Sequence, residues 1–179
     1  MPQNINERKQ FKMKKFLKSI YQFFLTIHIF KSTQKVNKIN KNKFSFFFIK
    51  SLNEVKTNKI VKRYFKEKSY KLNRFKKKSK FFGLKVKNEI ICSGWIYFGN
   101  KWNIEEINKD VNLNNQYLLY DFLTEKKFRN MGHYTLLLKI IQNKFRIKKL
   151  IIYSLSHNKI SISAIKSSGF KFIKKIKKY

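Results

Sequence analysis

The sequence predicts an α/β fold: a mixed, partly parallel central sheet with helices on both faces. Three observations carry that reading. Residues 118–124, LLYDFLT, are apolar at nearly every position, the pattern of a strand covered on both sides. A helix follows, with Tyr134, Leu137, Leu138, Ile141 and Phe145 on one stripe at three-and-four spacing. Residues 150–155, LIIYSL, then read as a second buried strand, and the right-handed crossover rule makes the two strands parallel.

Composition bounds the rest. A chain of 179 residues is long enough for one domain with a real core. It carries 43 basic residues against nine acidic, a net charge of +34. Arginine occurs at positions 8, 63, 74, 129 and 146 only, so lysine supplies nearly all the basic charge. One alanine and one proline accompany this bias. AT-rich codons account for the pattern more simply than a polyanionic partner does, but either way the surface attracts anions. The lone Cys92 excludes an internal disulfide and a cysteine metal cluster. His28, His133 and His157 are too scattered for a metal motif, so no metal is expected. No secretory signal with a small-residue cleavage site is apparent, and a cytoplasmic location is expected.

Taken in order, residues 1–43 read as a basic N-terminal extension. Its apolar piece, 16–30 (FLKSIYQFFLTIHIF), predicts an amphipathic helix too short and too polar to span a bilayer. One reading lays it on an anionic membrane, with residues 9–31 making peripheral contact at the inner face. The preferred reading packs it over a sheet edge or the core. On the membrane reading, deleting residues 1–30 leaves ligand binding by the domain untouched. Residues 31–43 read as a linker, and the domain proper as 44–179. Residues 44–49 predict a short strand. Ser51 caps a helix from Leu52, with Glu54 completing a capping box. Residues 60–77 read as a basic helical stretch with Ile60, Tyr64, Phe65 and Leu72 interleaved. That is a conceivable RNA surface, but a solvated helix face is commoner and no nucleic-acid motif is present. Residues 81–98 predict a hairpin turning at Asn88 and Glu89, with Gly83 and Gly94 marking bulges or close backbone contact. Residues 101–115, holding Glu105, Glu106 and Asp110, read as a polar loop. After the second buried strand, a helix over 158–168 ends at Gly169, and residues 170–176 form a last strand.

Two features carry chemistry. Gly132 stands where the helix after 118–124 begins. First-turn amides have no internal partners and sit at the positive end of the helix dipole. A glycine there lets a ligand approach the backbone, so strand, turn and helix N-terminus make a phosphate or pyrophosphate site. Asp121 is an acid on a central strand, where its ionisation is open to perturbation.

These segments resemble a known family. Residues 117–170 look like the core of the GNAT superfamily of acyl-CoA N-acyltransferases. Its members carry a strand followed by a Q/R-x-x-G-x-G/A loop that opens a helix; here the loop is Arg129-Asn130-Met131-Gly132-His133-Tyr134. They then carry a strand, an asparagine and a helix ending in Gly-Phe; here Asn158 begins NKISISAIKSSGF and Gly169-Phe170 closes it. With the earlier elements the resemblance spans about residues 44–176. It implies acetyl-CoA as co-substrate, its pyrophosphate cradled by amides of Arg129, Asn130, Met131, Gly132, His133 and Tyr134. Backbone groups of Phe122, Leu123 and Thr124 would pair with the pantetheine arm like an added strand. Asn158, otherwise a plain helix cap, would face that arm. An amide near Leu123 would stabilise the oxyanion formed when an amine attacks directly. Two positions depart from the pattern: Tyr134 stands where Gly or Ala is usual, and Ile165 where many members carry a tyrosine acid. Ser161, Ser163, Tyr153 or water would take the acid's place, and Asp121, Glu125, Glu105 and Glu106 are the candidate bases. The resemblance implies an N-acetyltransferase for a primary amine of a small or sugar-linked acceptor, whose pocket would be built from residues 51–80 and 100–115. The alternative is a non-catalytic basic module of the same fold that binds RNA or an anionic membrane.

Overall fold

Short apolar runs bounded by turn residues become strands, and seven of them align. In the computed structural model, which describes Met13 and residues 25–33 and 44–178, β1 (Thr26–Ser32), β2 (Ser45–Ile49), β3 (Ser79–Val86), β4 (Glu89–Tyr97), β7 (Tyr117–Thr124), β8 (Leu150–Leu155) and β9 (Phe170–Lys177) form one sheet. Its order is β2-β3-β4-β7-β8-β1-β9. Only β7 and β8 run parallel; the other neighbours are antiparallel. Residues 101–115 are not a featureless loop: β5 (Lys101–Ile104) and β6 (Lys109–Asn112) pair as a separate hairpin. Its residues Ile104 and Ile107, and Leu113 just beyond it, are buried, which is what holds a polar-looking segment to the sheet.

Helices cover both faces. On one, α3 (His133–Lys144) and α4 (Lys159–Ser167) press Leu137, Leu138, Ile141, Ile162 and Ile165 onto Phe82, Ile96, Leu119 and Ile152. On the other, α1 (Leu52–Thr57), α2 (Lys59–Lys66) and a 3-10 helix (Ser69–Phe75) bring Val55, Val61, Phe65 and Phe75 against Phe81 and Trp95. The rings of Phe65, Phe75 and Phe81 lie 4.8–6.3 Å apart or from Trp95, edge-to-face or tilted. The predicted helical stretch 60–77 is therefore two pieces, broken after Lys66. Ser51 caps α1 as expected, accepting from the Glu54 amide at 3.3 Å, but the Glu54 carboxylate reaches the Lys50 amide rather than that of Ser51. Asn58 separates α1 from α2 and caps the latter through its Oδ1, 3.1 Å from the Val61 amide. Such caps contribute about 1 kcal/mol each. The β3–β4 turn falls on Lys87 and Asn88, one residue before the predicted position, with Lys87 at φ 49°. No helix among the described residues is long and apolar enough to cross a membrane.

The N-terminal expectation needs correction. Residues 26–32 are a strand, not the end of an amphipathic helix, and they lie inside the sheet between β8 and β9. Ile27 and Ile29 face the hairpin side while Phe30 reaches the helical side, all of them buried. A boundary at residue 43 would cut through this sheet. Residues 16–24 lie outside the described residues.

Candidate functional site

The β7–β8 ladder has three registered pairs: Tyr117 with Leu150, Leu118 with Ile151 and Leu119 with Ile152. Both strands continue past the last pair, to Thr124 and Leu155, without bonding each other. Each is held from its outer side. Leu123 and Thr124 stay paired with Ser93 and Cys92 of β4, and Tyr153, Ser154 and Leu155 with Ile29, His28 and Ile27 of β1. Two strands anchored outward leave a slot between them. A cleft of about 610 Å³ opens there, running from Tyr120 and Tyr153 to Arg129, Gly132 and Asn158.

A bulge shapes the β7 wall. Between Leu123 and Tyr120 the register with β4 shifts by one residue, and Asp121 takes φ 48°, in the left-handed region. The shift breaks the alternation of faces that a regular strand has. Phe122 leaves the face of Leu118 and Tyr120 and joins Leu119 in the helical-side core. Its ring lies where a Cβ on Gly94 would stand, 2.6 Å away, so that glycine is a space requirement.

The far end is backbone. Phe128 donates its amide to the Glu125 carbonyl at 2.8 Å, and Arg129 Nε donates to the Thr124 carbonyl at 3.1 Å. Asn130 and Gly132 both have positive φ, 61° and 75°. The first α3 bond runs from the Leu136 amide to the Gly132 carbonyl at 2.9 Å, which leaves the amides of His133, Tyr134 and Thr135 without acceptors in the helix. A Cβ on Gly132 would meet nothing within 4 Å, so the loop faces open space. Left-handed turns feeding a helix N-terminus make a concavity for an anion.

The remaining side chains of the loop divide. Met131 is exposed. The His133 imidazole is buried against Phe44, at 4.9 Å between centroids, and Phe128, at 6.1 Å; burial lowers its pKa. Tyr134 lies in the cleft wall beside Ser161, with its ring 5.0 Å from Phe122; burial raises its pKa well above the ordinary phenol value. Across the slot, Asn158 Oδ1 accepts from the Ser161 amide at 3.0 Å and caps α4. Ile165, at the usual tyrosine position, is fully buried in the core.

Among the candidate acids and bases, Ser161 lines the cleft. Asp121 stands at its edge, but the carboxylate is bonded to Lys71 Nζ at 2.7 Å and to the Arg74 guanidinium. Glu125 lies in a separate recess with Arg63, Glu89 and Lys127, and pairs with Lys68 at 3.7 Å. Glu106, at the β5–β6 turn, reaches the cleft beside Tyr120 and Tyr153. Tyr120 donates its hydroxyl to Ser79 Oγ at 2.9 Å. Burial, then Glu106, raises the Tyr153 pKa. Tyr120 carries no motif signal; it enters the site through the strand register alone. No cluster of His, Cys, Asp or Glu among the described residues is arranged to hold a metal.

No family model matches the sequence, and no curated protein matches it. Solved structures do. A GNAT-family acetyltransferase from Colwellia psychrerythraea matches with a TM-score of 0.54 at 12% identity, over 83% of this chain. A protein assigned to the same family from Novosphingobium aromaticivorans gives 0.54 at 11%, over 85%. A conserved protein of unknown function from Staphylococcus epidermidis gives 0.52 at 10%, over 89%. The chain has the GNAT acyl-CoA N-acyltransferase fold. It spans 53%, 62% and 63% of the lengths of those three proteins. In GNAT terms, Arg129 to Tyr134 form the loop that opens α3, and Asn158 opens α4 across the slot from it.

Proposed function

We propose that the protein is an N-acetyltransferase moving an acetyl group from acetyl-CoA to a primary amine of a small or sugar-linked acceptor. The observation that carries this is the slot: two parallel strands stop bonding after Leu119 and Ile152, beside a helix whose first amides lack acceptors. The free inner edge of β7 suits an extended amide-bearing arm, which adds to it as a strand would. The loop 129–134 suits a diphosphate, and Gly132 leaves room for it. When bound, acetyl-CoA supplies an activated acyl carbonyl: the amine nitrogen bonds to it, the C–S bond breaks, and coenzyme A leaves as a thiolate.

Residues of this chain would handle the protons. A substrate ammonium must lose one proton before attack and the new amide another after it, while the thiolate gains one, so one proton is released overall. Glu106, beside Tyr120 and Tyr153 where the slot opens on the hairpin side, is the base this geometry favours. Tyr134 keeps its proton at neutral pH, as any phenol does and as burial reinforces, and Ser161 lines the same cleft. The pair supplies the donor that Ile165 cannot.

Acetyl-CoA at about a hundred times its dissociation constant should raise stability by about 2.7 kcal/mol, read as a rise in melting temperature. Gly132→Glu should abolish that rise, because a carboxylate then stands beside the diphosphate. Gly132→Ala controls for the left-handed strain, about 1–2 kcal/mol, since its methyl meets no neighbour. No stabilisation of the folded wild-type chain by acetyl-CoA would refute the proposal.

A further inference from the structure

A second cavity, about 290 Å³, adjoins the slot and shares Glu106, Tyr120, Asp121 and Tyr153 with it. Its charges are not what the rest of the chain leads one to expect. Three of the nine acidic residues of this strongly basic protein, Glu105, Glu106 and Asp121, line it. Asp121 is neutralised by Lys71 and Arg74. Glu105 and Glu106 form no ion pair among the described residues, and Glu106 stands at the junction with the slot. Arg74 and Lys77 also line this cavity but not the slot. The Arg74 guanidinium is fixed over the rings of Trp95 and Tyr120, at 5.3 and 5.2 Å, with only one edge committed to Asp121. The Lys77 ammonium forms no ion pair among the described residues. Tyr120, Trp102 and Tyr153 supply apolar surface between the charges; the first two rings are 4.5 Å apart.

A pocket with the unpaired Glu106 carboxylate at its junction with the slot, Arg74 and Lys77 lining it away from the slot, and aromatic walls is complementary to a molecule charged at both ends. Resting on the acetyltransferase reading for its chemistry, we propose that the acceptor is a small amino carboxylate: its ammonium lies against Glu106, facing the slot, and its carboxylate against Arg74 and Lys77. A cationic or neutral amine would leave the two cations unanswered, and a plain carboxylate would meet Glu105 and Glu106.

The test is calorimetric titration of the full chain with glycine, 4-aminobutyrate and 6-aminohexanoate, against butylamine and butyrate. At least one amino carboxylate should bind tenfold more tightly than either single-charge compound. Lys77→Gln should weaken it at least fivefold and leave butylamine unchanged. Glu106→Gln should weaken it and butylamine alike and should not weaken butyrate. Thiol release from acetyl-CoA should follow the order of binding. Equal affinities, no binding by any compound, or binding without thiol release in the presence of bound acetyl-CoA would overturn the inference. Failure of acetyl-CoA itself to bind, measured separately, would instead sink the acetyltransferase reading.

Discussion

Asp121 adopts φ 48°, and that one angle re-aims the strand that carries it. Downstream of it Phe122 turns to the helical side; upstream, Tyr120 stays on the hairpin side. The carboxylate meanwhile ties the 3-10 helix to β7 through Lys71 and Arg74. Lys71 is 8% exposed, so loss of that partner would leave its ammonium buried and unpaired. Asp121→Asn keeps a residue that tolerates positive φ while removing the charge. The expected result is a loss of roughly 1.5–3 kcal/mol in urea unfolding; lost turnover at unchanged stability would instead make the carboxylate a base. Cys92 offers a second measurement. It is fully buried, Thr124 donates to its Sγ at 3.2 Å, and burial pushes its thiol up to about 12 from 9.0. Because the folded pKa is the higher one, the protonated thiol contributes stability that is complete below pH 9 and is lost as pH rises from 9 towards 12. Urea midpoints should fall between pH 8.5 and 11, less steeply in Cys92→Ala, and the native thiol should resist alkylation at pH 8 until the protein unfolds. The places of Gly132 and Asn158 at the helix ends that border the cleft were legible because helix ends constrain which residues occupy them. The bulge itself was marked by Gly94, but the approach of Arg74 to Tyr120 was not legible, since it depends on how the 3-10 helix packs against a strand far from it in sequence.

β1 shows why whole elements can be misread. Residues 16–30 are the most apolar piece of the N-terminal third, and the short apolar stretch at its end fits a buried strand as well as a helix. Within it, Ile27 and Ile29 alternate with His28 and Phe30, a period of two that a strand covered on both faces blurs. The segments 133–144 and 159–167 were legible because one face is apolar and their caps are distinct. The hairpin at 101–112 was hidden because its strands are short and mostly exposed. Ile29 is 3% exposed and registered with Tyr153 in the slot wall. Ile29→Lys should cost more than about 3 kcal/mol and weaken acetyl-CoA binding through β8, since it buries an unpaired charge. A dispensable extension would tolerate it within about 0.5 kcal/mol. Removing residues 1–30 likewise takes away most of the strand that supports β8, so ligand binding should not survive that deletion unchanged.

For the whole molecule, charge is the governing quantity. With 43 basic and nine acidic residues, most lysines have cations rather than carboxylates for neighbours. Self-repulsion of this kind destabilises the compact state and is screened by salt, over about 10 Å at 0.1 M. The melting temperature of the ligand-free chain should therefore rise between 20 and 300 mM sodium chloride; a fall would mean that the five ion pairs between described residues outweigh the repulsion. The same field should draw a polyanionic co-substrate towards the slot at low ionic strength.

The position of β1 also sets a timetable. Thr26 pairs with Lys177 and Ile27 with Leu155, so a strand made early on the ribosome stays without neighbours until nearly everything after it has been translated. Until then β8 lacks its outer support and the slot has only one fixed wall. An unfinished chain can collapse around α3, but the slot gains its second fixed wall only when β8 docks on β1.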